Sequence, residues 1–258
     1  MTMTPQQIEA AGHALAHARK SGSLIDFRLP EMTSDDDAEA IQLEAAEAMD
    51  DQPKGYSTLS FPENVEGTRQ TNSFVHGLLL AGTIFDTGSV FRAPKGLMGA
   101  RAALLFTIGR LFPDKEEITR SSVTSAILQC DLAIELVGRR IPGSVPLTHQ
   151  SATADFALHV GTFRGAPITG WSDIFSGEEP IVLSIDGHPL QKIESARFFA
   201  HCLNCIGLLA DALTKGGDQL NAGDLVSAGW SLPALQTRAG QTVRIDVPGL
   251  DPVEVRLE

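Results

Sequence analysis

The chain has 258 residues, 43% hydrophobic and 20% charged, which is the composition of an ordinary globular protein with a large core. Its 20 basic residues face 32 acidic ones, a formal net charge of -12. No basic run matches a nucleic-acid backbone, so nucleic acid is not an expected partner.

The same survey predicts a cytoplasmic protein with no membrane partner. No apolar stretch reaches the roughly 18 residues of a spanning helix, and residues 1–20 lack the apolar core of a signal peptide. The three cysteines are too few for a disulfide framework and fit a reducing compartment. Cys202 and Cys205 form a C-x-x-C inside a helical pattern with no second ligand pair, which favours buried cysteines over a redox or zinc site.

The N-terminal part, residues 1–54, is predicted to be helical. Apolar residues at helical spacing run from Thr4 to about Lys20 and stop at "SGS". After the extended stretch "LIDFRLPEM", a second helix begins in "TSDDDAEAIQ", with Ser34 as its N-cap. The acids Asp35 to Asp37 suit the first turn of that helix, so they need no metal to explain them.

Residues 55–258 are predicted to be rich in strands, because short apolar runs alternate there with turn residues. "TRSSVTSAILQC" predicts a helix leading into the strand "DLAIELVG". "DFALHVGTF" and "PIVLSIDGHPL" predict strands, the second with a hairpin turn at Asp186 and Gly187. The longest helix is expected over 194–215, ended by Gly216 and Gly217. Three strands follow, in "LNAGDLVSAGWS", "QTVRIDVPG" and "PVEVRL", and the absence of βαβ alternation indicates a mixed α+β fold.

Several segments, in order, resemble the 2-keto-4-pentenoate hydratase and 4-oxalocrotonate decarboxylase family of the fumarylacetoacetate hydrolase superfamily. "SDDDAEAIQ" resembles the family's N-terminal helix, "KGYS" its Gly-Tyr-Lys, "SFVHGLLLAG" its Pro-x-Phe-Gly-x-Leu and "LAIELVGRR" its Ala-x-Glu-Ile-Val-Asp-x-Arg. "ATADFALHVG" resembles its Ala-Asp-Asn segment, and "ALTKGGDQLNAGDLVSAG" and "AGQTVRIDVPGLDPVEVRL" resemble its C-terminal signature. The likeness extends over nearly the whole chain.

The resemblance implies a coiled, barrel-like mixed sheet, a homo-oligomer, and a lyase acting on a small 2-oxo acid. In the family a Mg²⁺ or Mn²⁺ ion is held by a Glu-x-Glu and a later Glu, and it stabilises the enolate formed from the substrate. No nucleotide-binding or serine-hydrolase motif competes with this interpretation.

The metal motif is where the sequence departs from the family. "LLFTIGR" resembles the strand after the motif, which places Arg101 and Ala103 at the Glu-x-Glu. Only Glu135 of the three carboxylates is kept, and one carboxylate is too little for Mg²⁺ or Mn²⁺. Ser57 replaces the lysine of Gly-Tyr-Lys, whereas Asp155 is kept. We therefore expect no metal ligands and no cofactor.

Three interpretations of Arg101 stay open on sequence alone. Its guanidinium could replace the cation, pairing with Glu135 and binding the substrate carboxylate or enolate. The two side chains could instead form only a structural pair in a catalytically silent relative. In the third interpretation the alignment is shifted and Arg101 is a solvated strand end.

Further candidates follow from the resemblance and from residue chemistry. Asp155 and His149 are candidate auxiliary acids or bases, the histidine in a turn of "PLTHQSATADF". Residues expected to line a substrate pocket are Ser57, Arg69, His76, Trp230 and Ser231. Trp230 stands where a small residue is usual, which predicts a reshaped pocket.

The sequence thus predicts a hydratase-like lyase or isomerase that acts on a small 2-oxo or 2-hydroxydienoate acid through an enolate, without a metal. Arg101 would stabilise charge and Glu135 would pair with it or transfer the proton. The alternative is a catalytically silent homologue that binds a ligand or stabilises a partner enzyme.

Overall fold

The computed structural model describes residues 3–26, 29, 32, 34–63, 71–175, 177 and 179–258. Its six α-helices are α1 (Pro5–Ser21), α2 (Asp35–Met49), α3 (Arg120–Ala126), α4 (His149–Ala154), α5 (Trp171–Ile174) and α6 (Ser195–Lys215). Its twelve strands are β1 (Pro53–Glu63), β2 (Thr71–Leu80), β3 (Ile84–Asp86), β4 (Ser89–Phe91), β5 (Leu97–Ile108), β6 (Ile127–Gly138), β7 (His159–Pro167), β8 (Pro180–Ile185), β9 (His188–Glu194), β10 (Leu225–Gly229), β11 (Thr242–Asp246) and β12 (Val253–Leu257).

The two predicted N-terminal helices are confirmed, and so is the predicted N-cap at Ser34. The Thr4 hydroxyl accepts a hydrogen bond from the Gln7 amide, and the Ser34 hydroxyl accepts one from the Asp37 amide. These helices share a buried cluster with Leu80 and Phe156 of the β-rich part. The first strand, β1, begins at Pro53, just before the predicted boundary between residues 54 and 55. The division of the chain into a helical part and a β-rich part stays a prediction.

The strands form two sheets, a seven-stranded one in the order β2-β1-β10-β5-β6-β7-β3 and a five-stranded one in the order β4-β12-β11-β8-β9. The α+β prediction is confirmed, but the sheets are not closed into a barrel. Only the turn Ala81–Thr83 separates β2 from β3, although these strands lie at opposite ends of the larger sheet. The two ends therefore come close together without hydrogen-bonding to each other.

Two predicted elements are wrong in their boundaries. The helix predicted in "TRSSVTSAILQC" ends at Ala126, and the residues from Ile127 already belong to β6. The strand predicted from Asp155 begins only at His159. Phe156, Ala157 and Leu158 have φ values of 56°, 51° and 59°, a left-handed turn that side-chain patterns do not reveal. This turn packs on β2, where a Cβ at Gly77 would lie 2.3 Å from the Phe156 carbonyl carbon.

Helix α6 lies in the main hydrophobic core, as its strongly amphipathic pattern predicts. By length and composition this helix could span a membrane, contrary to the expectation that no stretch would. Half of its most apolar window is buried inside the protein, which is typical of a core helix. The tight turn at Asp186 and Gly187 joins β8 to β9, as predicted, with both residues at positive φ.

Candidate functional site

Arg101 and Glu135 face each other across the centre of the larger sheet. They are direct register partners on the antiparallel strands β5 and β6. Arg101 Nη2 lies 2.6 Å from Glu135 Oε1, and the two side chains are 1% and 0% exposed. Arg101 is therefore not a solvated strand end, and the third interpretation of this residue is wrong.

The guanidinium is held mainly by backbone carbonyl groups. Nη2 also donates to the Thr58 carbonyl at 2.5 Å, while Nη1 makes longer contacts with the carbonyls of Gly229 at 3.4 Å and Trp230 at 3.2 Å. The buried Nε has no hydrogen-bond partner among the described residues. A Cβ at Gly229 would lie 2.4 Å from Nε, so glycine is what lets the side chain lie against β10.

Hydroxyl groups hold the Glu135 carboxylate. Ser57 donates to Oε1 at 3.2 Å and Ser227 donates to Oε2 at 2.5 Å. Thr162 donates to the Ser227 hydroxyl at 3.3 Å. The chain of hydrogen bonds therefore runs from the Glu135 carboxylate on β6 to Ser227 on β10, and from there to Thr162 on β7.

The imidazole of His159 ends this chain, with Nε2 lying 2.9 Å from the Thr162 hydroxyl. Because the Thr162 proton is given to Ser227, the network assigns the His159 proton to Nε2. Burial, then the charges of Arg140 and Arg101, lower the pKa of His159 from 6.5 to about 3. His159 is thus a neutral hydrogen-bond donor at neutral pH, and its buried Nδ1 has no partner among the described residues.

Seven buried residues around the Arg101–Glu135 pair, named at the end of this paragraph, form what we call the polar cluster. All are buried in a sheet whose neighbouring positions are largely apolar, and they come from five strands. They are Ser57, Thr58, Arg101, Glu135, His159, Thr162 and Ser227.

Asp155 belongs to a second buried pair and not to the polar cluster. Its Oδ1 lies 2.7 Å from Arg140 Nε, and its Oδ2 accepts the Arg140 amide at 2.7 Å. Burial raises the pKa of Asp155, and the charge of Arg140 opposes that rise. The predicted auxiliary acid or base therefore has its carboxylate already engaged by Arg140.

The two histidines predicted near the pocket, His149 and His76, make contacts with residues outside the polar cluster. His149 is the first residue of α4, not part of a turn; its Nδ1 lies 3.2 Å from the Ser73 hydroxyl, and its Nε2 lies 3.7 Å from Asp35 Oδ1. His76 packs edge-on against the Tyr56 ring, with 6.0 Å between ring centroids. Burial, followed by the charge of His149, lowers the pKa of His76. None of these contacts joins either ring to Arg101.

Trp230 does adjoin the pair, through its backbone carbonyl. Its indole packs against His201 at a centroid distance of 5.1 Å and lies beneath the Arg197 guanidinium at 5.5 Å. Ser231 follows it and is half-buried. Of the other predicted pocket residues, Ser57 is in the polar cluster and Arg69 lies outside the described residues.

The metal centre implied by the family resemblance does not fit these residues. Ala103 has no ligand atom, and Arg101 puts a positive charge beside the one remaining carboxylate, Glu135. Among the residues that the structure describes, no group of three or more His, Cys, Asp or Glu side chains is placed to hold a metal. The prediction that the protein acts without a metal remains open to test.

The cysteines are buried free thiols, as the helical reading of the C-x-x-C favours. Burial raises the pKa of Cys202 and of Cys130 well above the usual range for a thiol. Cys202 donates to the Ala228 carbonyl at 3.3 Å. These are poor nucleophiles that belong to the packing of α6 against the sheet.

On sequence alone, no functional role was assigned to Ser227, Thr162 or His159. Ser227 and Thr162 each interrupt an apolar strand, which is the one local signal that could have marked them. Their link to Glu135 depends on β10 lying between β1 and β5, a fact of the sheet order alone.

No family model and no curated protein matches the sequence. The fold matches 4-oxalocrotonate decarboxylase from Pseudomonas putida G7, complexed with magnesium and adipate, with a TM-score of 0.82 and 20% identity over 100% of this chain and 99% of that one. A second structure of that enzyme, with calcium and acetate, gives a TM-score of 0.81 at 20% identity over the same shares. The 5-carboxymethyl-2-hydroxymuconate delta-isomerase from Mycobacterium smegmatis gives 0.54 at 15% identity, over 80% of this chain and 79% of that one. The predicted fumarylacetoacetate hydrolase-type fold is thereby confirmed.

Proposed function

We propose that the chain is a lyase of hydratase type that converts a small 2-oxo or enolisable acid around the Arg101–Glu135 pair, without the metal of the family. The observation that carries the proposal is the connected polar cluster around Arg101 and Glu135, at the position where the sequence resemblance puts the family's metal. A buried ion pair is often no more stabilising than apolar residues of similar volume. Function is therefore a better reason than stability for keeping this cluster in the core.

The fold supports the substrate class. The similar structures include a decarboxylase, an isomerase and, for the first of these, complexes with adipate or acetate. The names of those proteins and the molecules bound to them are those of enzymes that act on or bind small acids. Fold alone does not determine a reaction, so the assignment to hydration comes from the sequence resemblance.

Arg101 Nη1 is the donor we assign to the substrate. Its contacts with Gly229 and Trp230, at 3.4 and 3.2 Å, are longer than the Nη2 contacts at 2.5 and 2.6 Å. Long hydrogen bonds are the weaker ones, so Nη1 turns to an incoming oxygen with less loss than Nη2. The Trp230 contact is also the less buried one, so we assign the approach of the acid to the side of Trp230 and Ser231.

Glu135 is the group we assign to proton transfer. The Ser57 hydroxyl donates to its Oε1 and stands where the family has its lysine. Removing a proton next to the 2-oxo group places negative charge on that oxygen, where Nη1 stabilises it. Asp155 and His149 have other described partners, so their predicted auxiliary roles receive no part here.

The test is an assay of 2-oxo acids and 2-hydroxydienoates, followed by ultraviolet absorbance, with EDTA and with added Mg²⁺ or Mn²⁺. We expect turnover that survives EDTA and is lost in Arg101→Ala and in Glu135→Gln. The matched control removes a partly exposed ion pair, Arg110–Glu116, by Arg110→Ala and Glu116→Gln. Turnover that requires a metal, or that survives both substitutions in the cluster, would contradict the proposal.

A catalytically silent homologue is the second candidate. It is favoured by one observation, that both Nη atoms of Arg101 already have acceptors within the protein. In that case the pair only fills the former metal site. This candidate predicts that no acid in the assay is converted with or without metal, while the folded protein still binds such acids in calorimetry.

A further inference from the structure

A cleft of about 470 Å³ lies where the N-terminal helices meet the β-rich part, and none of its described lining residues belongs to the polar cluster. Its walls come from the end of α1, the connection between β2 and β3, and the segment between β4 and β5. We call it the basic cleft because of four cationic residues in its lining, Arg19, Lys20, Arg92 and Lys95.

The charge of the basic cleft is not balanced within the described structure. Asp51 is the only acidic residue among its described lining residues, and its carboxylate accepts the Gly82 amide at 3.0 and 3.2 Å. Arg140 also lines the cleft, but Asp155 balances its charge. None of the four cationic residues forms a salt bridge with a described acid, on a chain with a net charge of -12. Such a local excess of positive charge attracts anions.

Two of the cationic side chains are already oriented. Arg19 Nη1 donates to the His159 carbonyl at 2.8 Å, and the guanidinium lies 4.3 Å over the Phe156 ring. Lys20 Nζ donates to the Ala48 carbonyl at 3.0 Å. An anion would therefore meet donors that lose little further freedom on binding.

Helix polarity accounts for only part of this charge. Arg19 and Lys20 are in the last turn of α1, where cations interact favourably with the helix dipole. Arg92 and Lys95 lie outside any helix and are exposed. Their segment is held against the end of α1, since the Lys95 amide donates to the Gly22 carbonyl at 2.9 Å. The fold thus brings two separate basic segments to one cleft.

We propose that the basic cleft binds a phosphate-bearing small molecule. A phosphate group has three acceptor oxygens and about two negative charges, which suits a mixture of guanidinium and ammonium donors. Leu80, Phe91 and Val160 add an apolar wall for the organic body of the ligand. The proposal does not depend on the chemistry assigned to Arg101 and Glu135.

Isothermal titration calorimetry at pH 8 tests it with two aromatic dianions, phenyl phosphate and phthalate. We expect phenyl phosphate to bind more tightly than phthalate, and added salt to weaken it. The double variant Arg92→Gln/Lys95→Gln should bind phenyl phosphate with a dissociation constant at least about tenfold higher. Both residues are exposed, so thermal unfolding should show that this variant remains folded.

The matched control is Arg120→Gln/Lys192→Gln, which removes the same charge from exposed positions elsewhere. Its affinity for phenyl phosphate should equal that of the unmodified protein. Three results would overturn the proposal: no binding of phenyl phosphate, equal loss in the control, or phthalate binding that is as tight as that of phenyl phosphate.

Discussion

Two buried arginine–carboxylate pairs of almost equal length serve different parts of this molecule. Arg101–Glu135 has a contact of 2.6 Å and Arg140–Asp155 one of 2.7 Å. The first joins the neighbouring strands β5 and β6, through side chains 34 residues apart in sequence, and connects to a chain of hydroxyl groups. The second is local and anchors the backbone around the left-handed turn.

The comparison shows that burial and pairing do not by themselves identify a functional site. Arg140 donates to the carbonyls of Gly138 and His159 and holds Asp155 through side chain and amide, so its donors end on the scaffold. Both arginines have a buried Nε without a hydrogen-bond partner among the described residues, so the difference lies in Nη1 of Arg101. Its contacts with the carbonyls of Gly229 and Trp230, at 3.4 and 3.2 Å, are both long and lie beside the half-buried Trp230. The pair with loosely held donors is the better candidate for chemistry.

The largest effect is expected from Glu135→Gln, which leaves the Arg101 guanidinium buried without its counter-charge. Breaking a buried pair in this way costs about 3–5 kcal/mol of unfolding free energy. Glu116→Gln removes a partly exposed pair and should cost at most about 1 kcal/mol. Urea unfolding measures both, and equal losses would show that the central pair is no more important to stability than a surface pair.

Ser227→Ala sharpens the comparison by removing one hydroxyl from the Glu135 side. A hydrogen bond to a buried charged group contributes about 1.5–3 kcal/mol, so we expect a loss of that size in urea unfolding. Ser184→Ala is the control, because its buried hydroxyl donates only to a carbonyl, at 3.4 Å. If the two variants lost the same stability, the assigned bond to a charged carboxylate would be incorrect.

Stability should also fall on acidification because of His159. Its pKa is about 3 in the folded protein against 6.5 ordinarily, so the unfolded chain binds more protons between these values. Unfolding free energy therefore rises with pH across that window, by about 2 kcal/mol between pH 5 and 7 from this residue. His159→Gln should remove that part of the slope; an unchanged slope would mean that His159 is protonated in the fold.

Local signals made much of the fold predictable. The Ser34 cap and the turn at Asp186 and Gly187 are set by neighbouring residues, so sequence patterns place them correctly. The left-handed turn at Phe156–Leu158 was missed, because phenylalanine, alanine and leucine have no local preference for positive φ that a sequence pattern could show.

The site was predictable only in part, for the same reason. Family spacing paired Arg101 with Glu135 in two of the three interpretations, and the strand register places the two residues opposite each other. It did not reveal that Arg140 engages Asp155, or that Ser227 reaches Glu135 from another strand. Those contacts depend on sheet order, which acts over separations that no local pattern records.

Equilibrium Mn²⁺ binding tests most directly the claim that a guanidinium has replaced the metal. The comparison is between the unmodified protein and Arg101→Glu/Ala103→Glu, which would restore three carboxylates together with Glu135. The account predicts no stoichiometric Mn²⁺ binding to the unmodified protein and a gain of binding in the variant. Stoichiometric binding to the unmodified protein that is lost in Glu135→Gln would contradict it, whether or not the restored variant folds.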